Sequence, residues 1–583
     1  MHAKFLTLVV VLLLVVACGP SRPPATPAPI PSADVVGAET DVETLLAGLS
    51  VRDKIAQLVM PWIPGTYAAY DDDGFERAER WVDSLHVGGI IVSIGSPLDV
   101  AAKLNRLQRR SPLPLLVGSD FEGGTSLRLN GGTLFPPNMG VGATGSDSAA
   151  YDIGRITALE GRAVGVHLAF APVADVNNNP ANPIINTRAF GEDPAEVGRM
   201  VAAEVRGLQD YGMLATAKHF PGHGDTGTDS HLALPVIVSN WARLDSVELV
   251  PFRAAIAAGV DVVMSAHIAL PGIDPGQLRP GTVVPAILSG ILRDSLKFAG
   301  MIVTDALNMA GVADAYGAEA GVRAFMAGAD ILLQPADPRT AIDAMFRAVE
   351  RGEISGERLD RSVRRVLEAK RRLGLFGRRT VALDSVPAVV GSTAFQADAA
   401  EIAARSIVLV KDSAGVVYGM PRSRPALTLV TYAEEDNRAV GIALAAELRA
   451  QGFAVSLARL WPASGGASFD SASAALRRTG LAVFATADRP TAGRGSIGLP
   501  DLLSTLIERS AAERPTVVVS LGNPYVIGGL PRVGSYLIGW RSNAVTERAV
   551  GRALAGAASI TGRLPIGLPS GYPRGWGLQR RVP

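Results

Sequence analysis

A single cysteine, Cys18, among 583 residues excludes an intrachain disulfide. Aromatic side chains make up only 5%. With alanine, glycine and valine abundant instead, the composition suits an α/β protein with small residues at its close packing contacts. Charge of one sign is lacking as well: 56 basic side chains stand against 55 acidic ones, a net charge of +1. That leaves no electrostatic footprint for nucleic acid, which is excluded as a partner. The unbroken apolar run at residues 8–17 has ten residues, about half of the roughly 20 that a membrane span needs. No Gly-rich dinucleotide fingerprint follows any early apolar run, so a nucleotide-binding open sheet lacks its signature.

What the chain does have is concentrated in Lys218-His219-Phe220-Pro221-Gly222-His223-Gly224-Asp225-Thr226-Gly227-Thr228-Asp229-Ser230-His231-Leu232-Ala233-Leu234-Pro235. Three of the seven histidines fall here, beside a lysine and two aspartates. The stretch follows an apolar run (213–217) and is broken by glycines and prolines, which predicts a loop leaving a strand. Loops on rigid scaffolds are where chemistry concentrates. Two readings compete. His223, Asp225, Asp229 and His231 offer the nitrogen and oxygen donors of a metal site. Alternatively, Asp229 orients and charges His231 as a proton-transfer pair. Spacing alone does not choose between them.

At 583 residues the chain is too long for one ordinary domain. Apolar runs of strand length recur at 55–59, 87–94, 113–118, 168–173, 213–217, 260–265, 301–304 and 331–333. Helical patterns lie between several of them, at 100–110, 196–208, 249–258 and 320–327. Strands alternating with helices predict a (β/α)8 barrel, whose site gathers at the C-terminal strand ends. Polar signatures occur there: Gly118-Ser119-Asp120-Phe121-Glu122-Gly123-Gly124 with Arg128, Asp175-Val176-Asn177-Asn178-Asn179-Pro180, Asn186-Thr187-Arg188, Ser265-Ala266-His267 and Thr304-Asp305-Ala306-Leu307-Asn308-Met309.

Lys-His-Phe-Pro-Gly-His-Gly followed by Asp-Ser-His resembles the β-N-acetylhexosaminidase branch of the family 3 glycoside hydrolases. The resemblance implies a TIM-like barrel followed by a smaller α/β sandwich domain, acting on a β-N-acetylglucosaminide without a cofactor or metal. It places a nucleophile at Asp305, a general acid/base pair at Asp229 and His231, and sugar-binding groups at Asp120, Arg128, Arg188, Lys218 and His219. Lys218, Arg128 and Arg188 are also expected to keep Asp305 ionised. One departure stands out: family members often have Gln-Glu-Gly-Gly-Arg-Val, where this chain has Phe121-Glu122-Gly123-Gly124-Thr125-Ser126. Alternatives on the same fold are a β-glucosidase, a β-xylosidase or a β-glycoside phosphorylase. A sugar-binding lipoprotein without turnover would need neither Asp305 nor His231.

The expected organisation is a signal peptide at 1–17, a Pro-rich tether at 18–38, the barrel at 39–376, a linker at 377–393 and the second domain at 394–583. Val15-Val16-Ala17-Cys18 resembles a bacterial lipoprotein signal, which implies an exported chain acylated at Cys18 and anchored to a membrane. Residues 19–38 hold six prolines, as a tether would. The arginine-rich pattern of Arg358, Arg361, Arg364 and Arg365 predicts a helix over 355–375 that packs on the barrel with a solvated basic face. In the second domain, strands are expected near 407–410, 427–430, 454–457, 481–484, 517–520 and 536–538. No acid/base chemistry is expected from it; Arg494-Gly495-Ser496 is its one candidate for a rim contact.

Overall fold

The computed structural model describes residues 41–69, 72–488, 497–569 and 571–582. Cys18 and Arg494-Gly495-Ser496 lie outside the described residues. The strands of the first domain are β1 (Val59–Met60), β2 (Trp62–Pro64), β3 (Gly89–Ser93), β4 (Leu116–Ser119), β5 (Leu168–Ala169), β6 (Leu214–Phe220), β7 (Val262–Ser265), β8 (Met301–Val303) and β9 (Leu332–Leu333). From β2 to β8 they form one sheet in chain order, each neighbouring pair parallel. β9 pairs in parallel with β1 and meets β8 at the Val303–Ile331 bridge, so the sheet closes into a barrel. β1 and β2 are halves of one stave. Pro61 between them has no N–H to give the ladder. Every residue of β3, β4, β6, β7 and β8 is buried. Helices outside and side chains inside cover both faces, which is why these strands read as apolar runs rather than as alternation.

Helix starts are written in the sequence. Ser96, Asp193 and Asp337 each cap a helix whose first residue is proline: Pro97–Arg110, Pro194–Asp210 and Pro338–Glu350. The side-chain oxygen takes an orphan N–H, and proline occupies a position where its missing N–H costs nothing. The same chemistry corrects the first expected strand. Residues Val51–Ala56 are a helix, because Ser50 accepts from the Asp53 amide and donates to its carboxylate. The strand begins only at Val59.

A second correction concerns the basic helix, Gly356–Arg372. It packs on the barrel, but its arginines are not all solvated. Asp330 is fully buried and pairs with Arg365 at 3.0 Å and with Arg293 at 2.6 Å, while Arg358 donates to the Ala329 carbonyl. Part of the basic stripe therefore neutralises one buried carboxylate. The segment 377–393 is tied to the barrel surface, since Asn105 exchanges two hydrogen bonds with the Val381 backbone.

The second domain contains β10 (Val408–Asp412), β11 (Leu427–Tyr432), β12 (Val455–Leu460), β13 (Leu481–Thr486), β14 (Thr516–Ser520) and β15 (Ser535–Ile538). The order is β10-β15-β14-β13-β11-β12, with only β10 antiparallel to its neighbour. Successive strand residues serve opposite faces. Val483, Ala485, Val517 and Val519 enter one apolar layer, Ala482, Phe484 and Val518 the other. The second layer also takes in Met139 and Ala143 from the barrel helix Asn138–Thr144, so the two domains share a core there. Asn543 adds a hydrogen bond to the Phe135 carbonyl at 2.9 Å. Among the described residues no helix is long and apolar enough to cross a membrane.

Candidate active site

The C-terminal strand ends open on a cavity of about 830 Å³. Asp120, Arg128, Arg188, Lys218, His219, His231 and Asp305 all line it. Asp229 does not. It is buried beneath and reaches the cavity through His231.

β6 runs further than expected. Lys218, His219 and Phe220 belong to the strand, so the first residues of the histidine-rich stretch stand on the barrel rather than on a loop. The Lys218–His219 and Phe220–Pro221 peptide bonds are cis. Lys218 Nζ lies 3.1 Å from Asp120 Oδ1 and 2.6 Å from Glu122 Oε1. Glu122 also takes both arms of Arg188, at 2.8 Å each. Arg128 donates to Asp120 at 3.3 Å. Burial pushes the Glu122 carboxyl upward, but Arg188 and Lys218 outweigh it and hold it well below the ordinary glutamate range. Burial pulls the Lys218 ammonium down, yet Glu122 and Asp120 carry it above its ordinary value. The result is a fully ionised, pre-ordered array of donors. Hydroxyls of a bound sugar would meet donors whose geometry is already fixed.

Glu122 stands in the polar signature after β4, but the sequence assigns it no role of its own. Its local signal, Glu-Gly-Gly, gives no hint that two cations converge on it from β6 and from the loop after β5. Glu122→Gln removes the shared counter-charge and leaves Arg188 and Lys218 facing each other. We expect KM for a glycoside substrate to rise. Stability should fall by about 3–5 kcal/mol, the usual cost of breaking a buried pair, readable by steady-state kinetics and denaturant titration.

Asp175 is a second such residue. It is fully buried and accepts from the His219 amide at 3.2 Å, His219 Nδ1 at 2.8 Å and the His223 amide at 2.7 Å. One carboxylate thus fixes the His219 ring and the start of the following loop. That loop leaves no spare room: a Cβ on Gly224 would lie 1.7 Å from the Val176 carbonyl oxygen. His223 has both ring nitrogens engaged, Nδ1 with Thr226 at 2.9 Å and Nε2 with Ser230 at 3.1 Å. Burial lowers its pKa to about 4, so it is neutral. Asp225 faces Arg243 at 3.8 Å. His223, Asp225, Asp229 and His231 therefore do not converge, and among the described residues no three His, Cys, Asp or Glu side chains form a metal-sized cluster.

Asp229 Oδ1 accepts from the His231 amide at 2.9 Å and from His231 Nδ1 at 2.8 Å. An aspartate readily bonds the backbone two residues on, and that turn carries the imidazole to the same carboxylate. Asp229 is 0% exposed at its side chain, His231 38%. With Nδ1–H committed to the carboxylate, Nε2 is the nitrogen left to exchange a proton.

Asp305 follows β8 and is not a helix cap; the next helix, Ala310–Tyr316, begins five residues later. Its Oδ1 accepts from the Ala306 amide at 2.7 Å. The Ala306 carbonyl accepts from His267 Nε2 at 3.0 Å, and His267 Nδ1 lies 2.8 Å from Thr282 Oγ1. Burial raises the Asp305 carboxyl, but His219, His267, the Ala306 amide and Lys218 bring it below the ordinary aspartate value. Lys218 thus acts on Asp305 as expected. Arg128 and Arg188 meet other carboxylates directly, Asp120 at 3.3 Å and Glu122 at 2.8 Å.

Trp62, Gln334 and Asn308 complete the barrel side of the cavity, and Leu521, Trp540 and Arg541 enter from the second domain. Apart from Asn308, which stands in the polar signature after β8, none carries a sequence signal, because closure of the barrel and docking of the second domain bring them there.

Residues 50–369 match the Glycosyl hydrolase family 3 N terminal domain. A β-N-acetylglucosaminidase/β-glucosidase of Cellulomonas fimi is 32% identical over 546 residues, 90% of this chain and 95% of that protein. Among solved structures, a glycoside hydrolase family 3 β-N-acetylglucosaminidase from Paenibacillus sp. str. FPU-7 is 33% identical, with a TM-score of 0.80 over 90% of this chain and 100% of that one. The β-glucoside phosphorylase BglX bound to 2FGlc is 28% identical, with a TM-score of 0.81 over 90% and 95%. The barrel, its strand-end carboxylates and these matches lead to one conclusion: the chain belongs to glycosyl hydrolase family 3 and is a glycoside hydrolase.

Proposed function

We propose that the chain is a retaining, exo-acting enzyme that removes terminal β-linked N-acetylglucosamine. The observation that carries this reading is the Asp229–His231 pair, 2.8 Å apart, on the rim of the cavity that Asp305 lines. In the first step the Asp305 carboxylate attacks the anomeric carbon. The bond to the leaving oxygen breaks, and protonated His231 delivers its Nε2 proton to that oxygen, while Asp229 balances the imidazolium charge. In the second step His231 takes a proton from water, whose oxygen bonds to the anomeric carbon and releases Asp305. Asp120, Arg128, Arg188, Lys218 and His219 hold the sugar. The Cellulomonas fimi relative, named for acting on both N-acetylglucosaminides and glucosides, supports the sugar class. The signal-like segment ending at Cys18 supports a lipid-anchored, exported location and cell-wall fragments as the natural source of substrate.

A panel of aryl β-glycosides, with and without inorganic phosphate, tests the reading on the chain lacking residues 1–38. The N-acetylglucosaminide is expected to be cleaved best, and at a rate independent of phosphate. A preference for the glucoside or xyloside would move the substrate class. The phosphorylase among the similar structures makes phosphate the acceptor to compare with water, and a glycosyl phosphate product would replace hydrolysis by phosphorolysis.

A further inference from the structure

We propose that the second domain is a positioning element of the sugar site, acting through Asn523 and Tyr525. Both stand just after β14. That segment is fixed to its own domain: the Asn523 amide donates to the Asp488 carbonyl at 2.5 Å, and Ser520 Oγ donates to the Asn523 carbonyl at 2.8 Å. A Cβ on Gly522 would lie 1.8 Å from the Asp488 carbonyl oxygen, so a side chain there would push the loop away from the segment after β13. Asn523 Oδ1 accepts from the Tyr525 amide at 3.1 Å, which sets the direction of both side chains toward the barrel.

There they meet two turns of the segment between β5 and the helix Pro194–Asp210, which carries Asp175 and Arg188. Asn186 Nδ2 donates to Asn523 Oδ1 at 3.3 Å, and Asn177 Nδ2 donates to Tyr525 Oη at 2.9 Å. Both barrel asparagines are fully buried. Asn186 stands two residues before Arg188. It has a left-handed backbone, φ 43°, and its Oδ1 accepts from the Thr187 amide at 2.8 Å. Its side chain therefore fixes the turn that presents Arg188. Asn177 stands two residues after Asp175, the carboxylate that holds the His219 ring. The Asn177 amide donates to the Gly191 carbonyl at 2.9 Å, which ties the two ends of that segment together. A single loop of the second domain thus braces the supports of Arg188 and His219 together.

Energetics give the brace a function beyond adhesion. Losing the acceptor leaves a buried amide unsatisfied, a cost that movement of its segment relieves. A displacement of about 1 Å at a binding group can cost up to roughly 100-fold. Interdomain glue without this role would lower stability and leave substrate affinity alone.

The inference rests on reading Arg188 and His219 as sugar-binding groups. Its test uses the full chain with Asn523→Ala, Asn523→Asp and Tyr525→Phe. The aspartate retains the acceptor; the phenylalanine retains the ring and loses only the hydroxyl. With an aryl β-N-acetylglucosaminide, Asn523→Ala and Tyr525→Phe are expected to raise KM roughly tenfold while kcat stays within about threefold. Asn523→Asp is expected to stay near the wild-type KM. Hydrogen exchange over residues 176–190, measured without ligand, is expected to quicken in the first two variants only. It reports the brace even if the aryl glycoside is not turned over, an outcome that would count against the sugar reading alone. Wild-type KM and wild-type exchange in Tyr525→Phe, or an Asn523→Asp as impaired as Asn523→Ala, would overturn the proposal.

Discussion

Asp305→Ala is expected to lower turnover by roughly four orders of magnitude or more while the fold survives. The carboxylate has one backbone partner, the Ala306 amide at 2.7 Å, and this contact contributes little to the barrel. The Ala306 carbonyl keeps its bond from His267 at 3.0 Å, and the turn after β8 is also held by the Thr304 and Leu307 amides. Thermal unfolding of the variant should therefore resemble wild type. The electrostatic balance adds a pH signature. The Asp305 carboxyl lies below its ordinary value despite burial, so it stays ionised to lower pH than a free aspartate. The acid limb of kcat/KM that belongs to this group should fall below about pH 3.9. A loss of rate setting in well above that pH would assign the limb to another residue.

His231→Ala is the second large effect, and its pattern is more informative than its size. Substrates with poor leaving groups need protonation as they depart, so they should suffer most. An activated aryl glycoside departs without help, and its first step should be largely spared. The covalent intermediate then accumulates because nothing deprotonates the incoming water, and kcat and KM should fall together. Azide needs no deprotonation and should restore the rate by forming a glycosyl azide. Asp229→Ala should give a milder version, since it removes the orienting carboxylate and keeps the imidazole. Equal slowing of all substrates with no azide effect would make His231 a binding residue.

The barrel strands were legible in the sequence because burial on both faces leaves uninterrupted apolar runs, as at β3, β6 and β7. Boundaries were not. The run at 55–59 hid the end of a helix whose start the Ser50–Asp53 pair decides, and β6 continues through Lys218 and His219, polar residues that a periodicity argument ends early. The acid/base candidates were legible as well, because Asp229 and His231 are two residues apart and interact within one turn. Asp175 and Glu122 were not, since their partners lie in distant segments: Glu122 meets Arg188 across 66 residues and Lys218 across 96. The contributions of the second domain follow the same rule. Asn523 and Tyr525 have meaning only opposite Asn186 and Asn177, and no local pattern announces them.

The covalent role of Asp305 is tested most directly by trapping. A fluorosugar that slows the second step, carrying a good leaving group, is incubated with the enzyme. The digest is then sequenced by mass spectrometry. The account predicts one added glycosyl mass on the peptide that contains Thr304-Asp305-Ala306, located on Asp305. A glycosyl mass on any other side chain would contradict it.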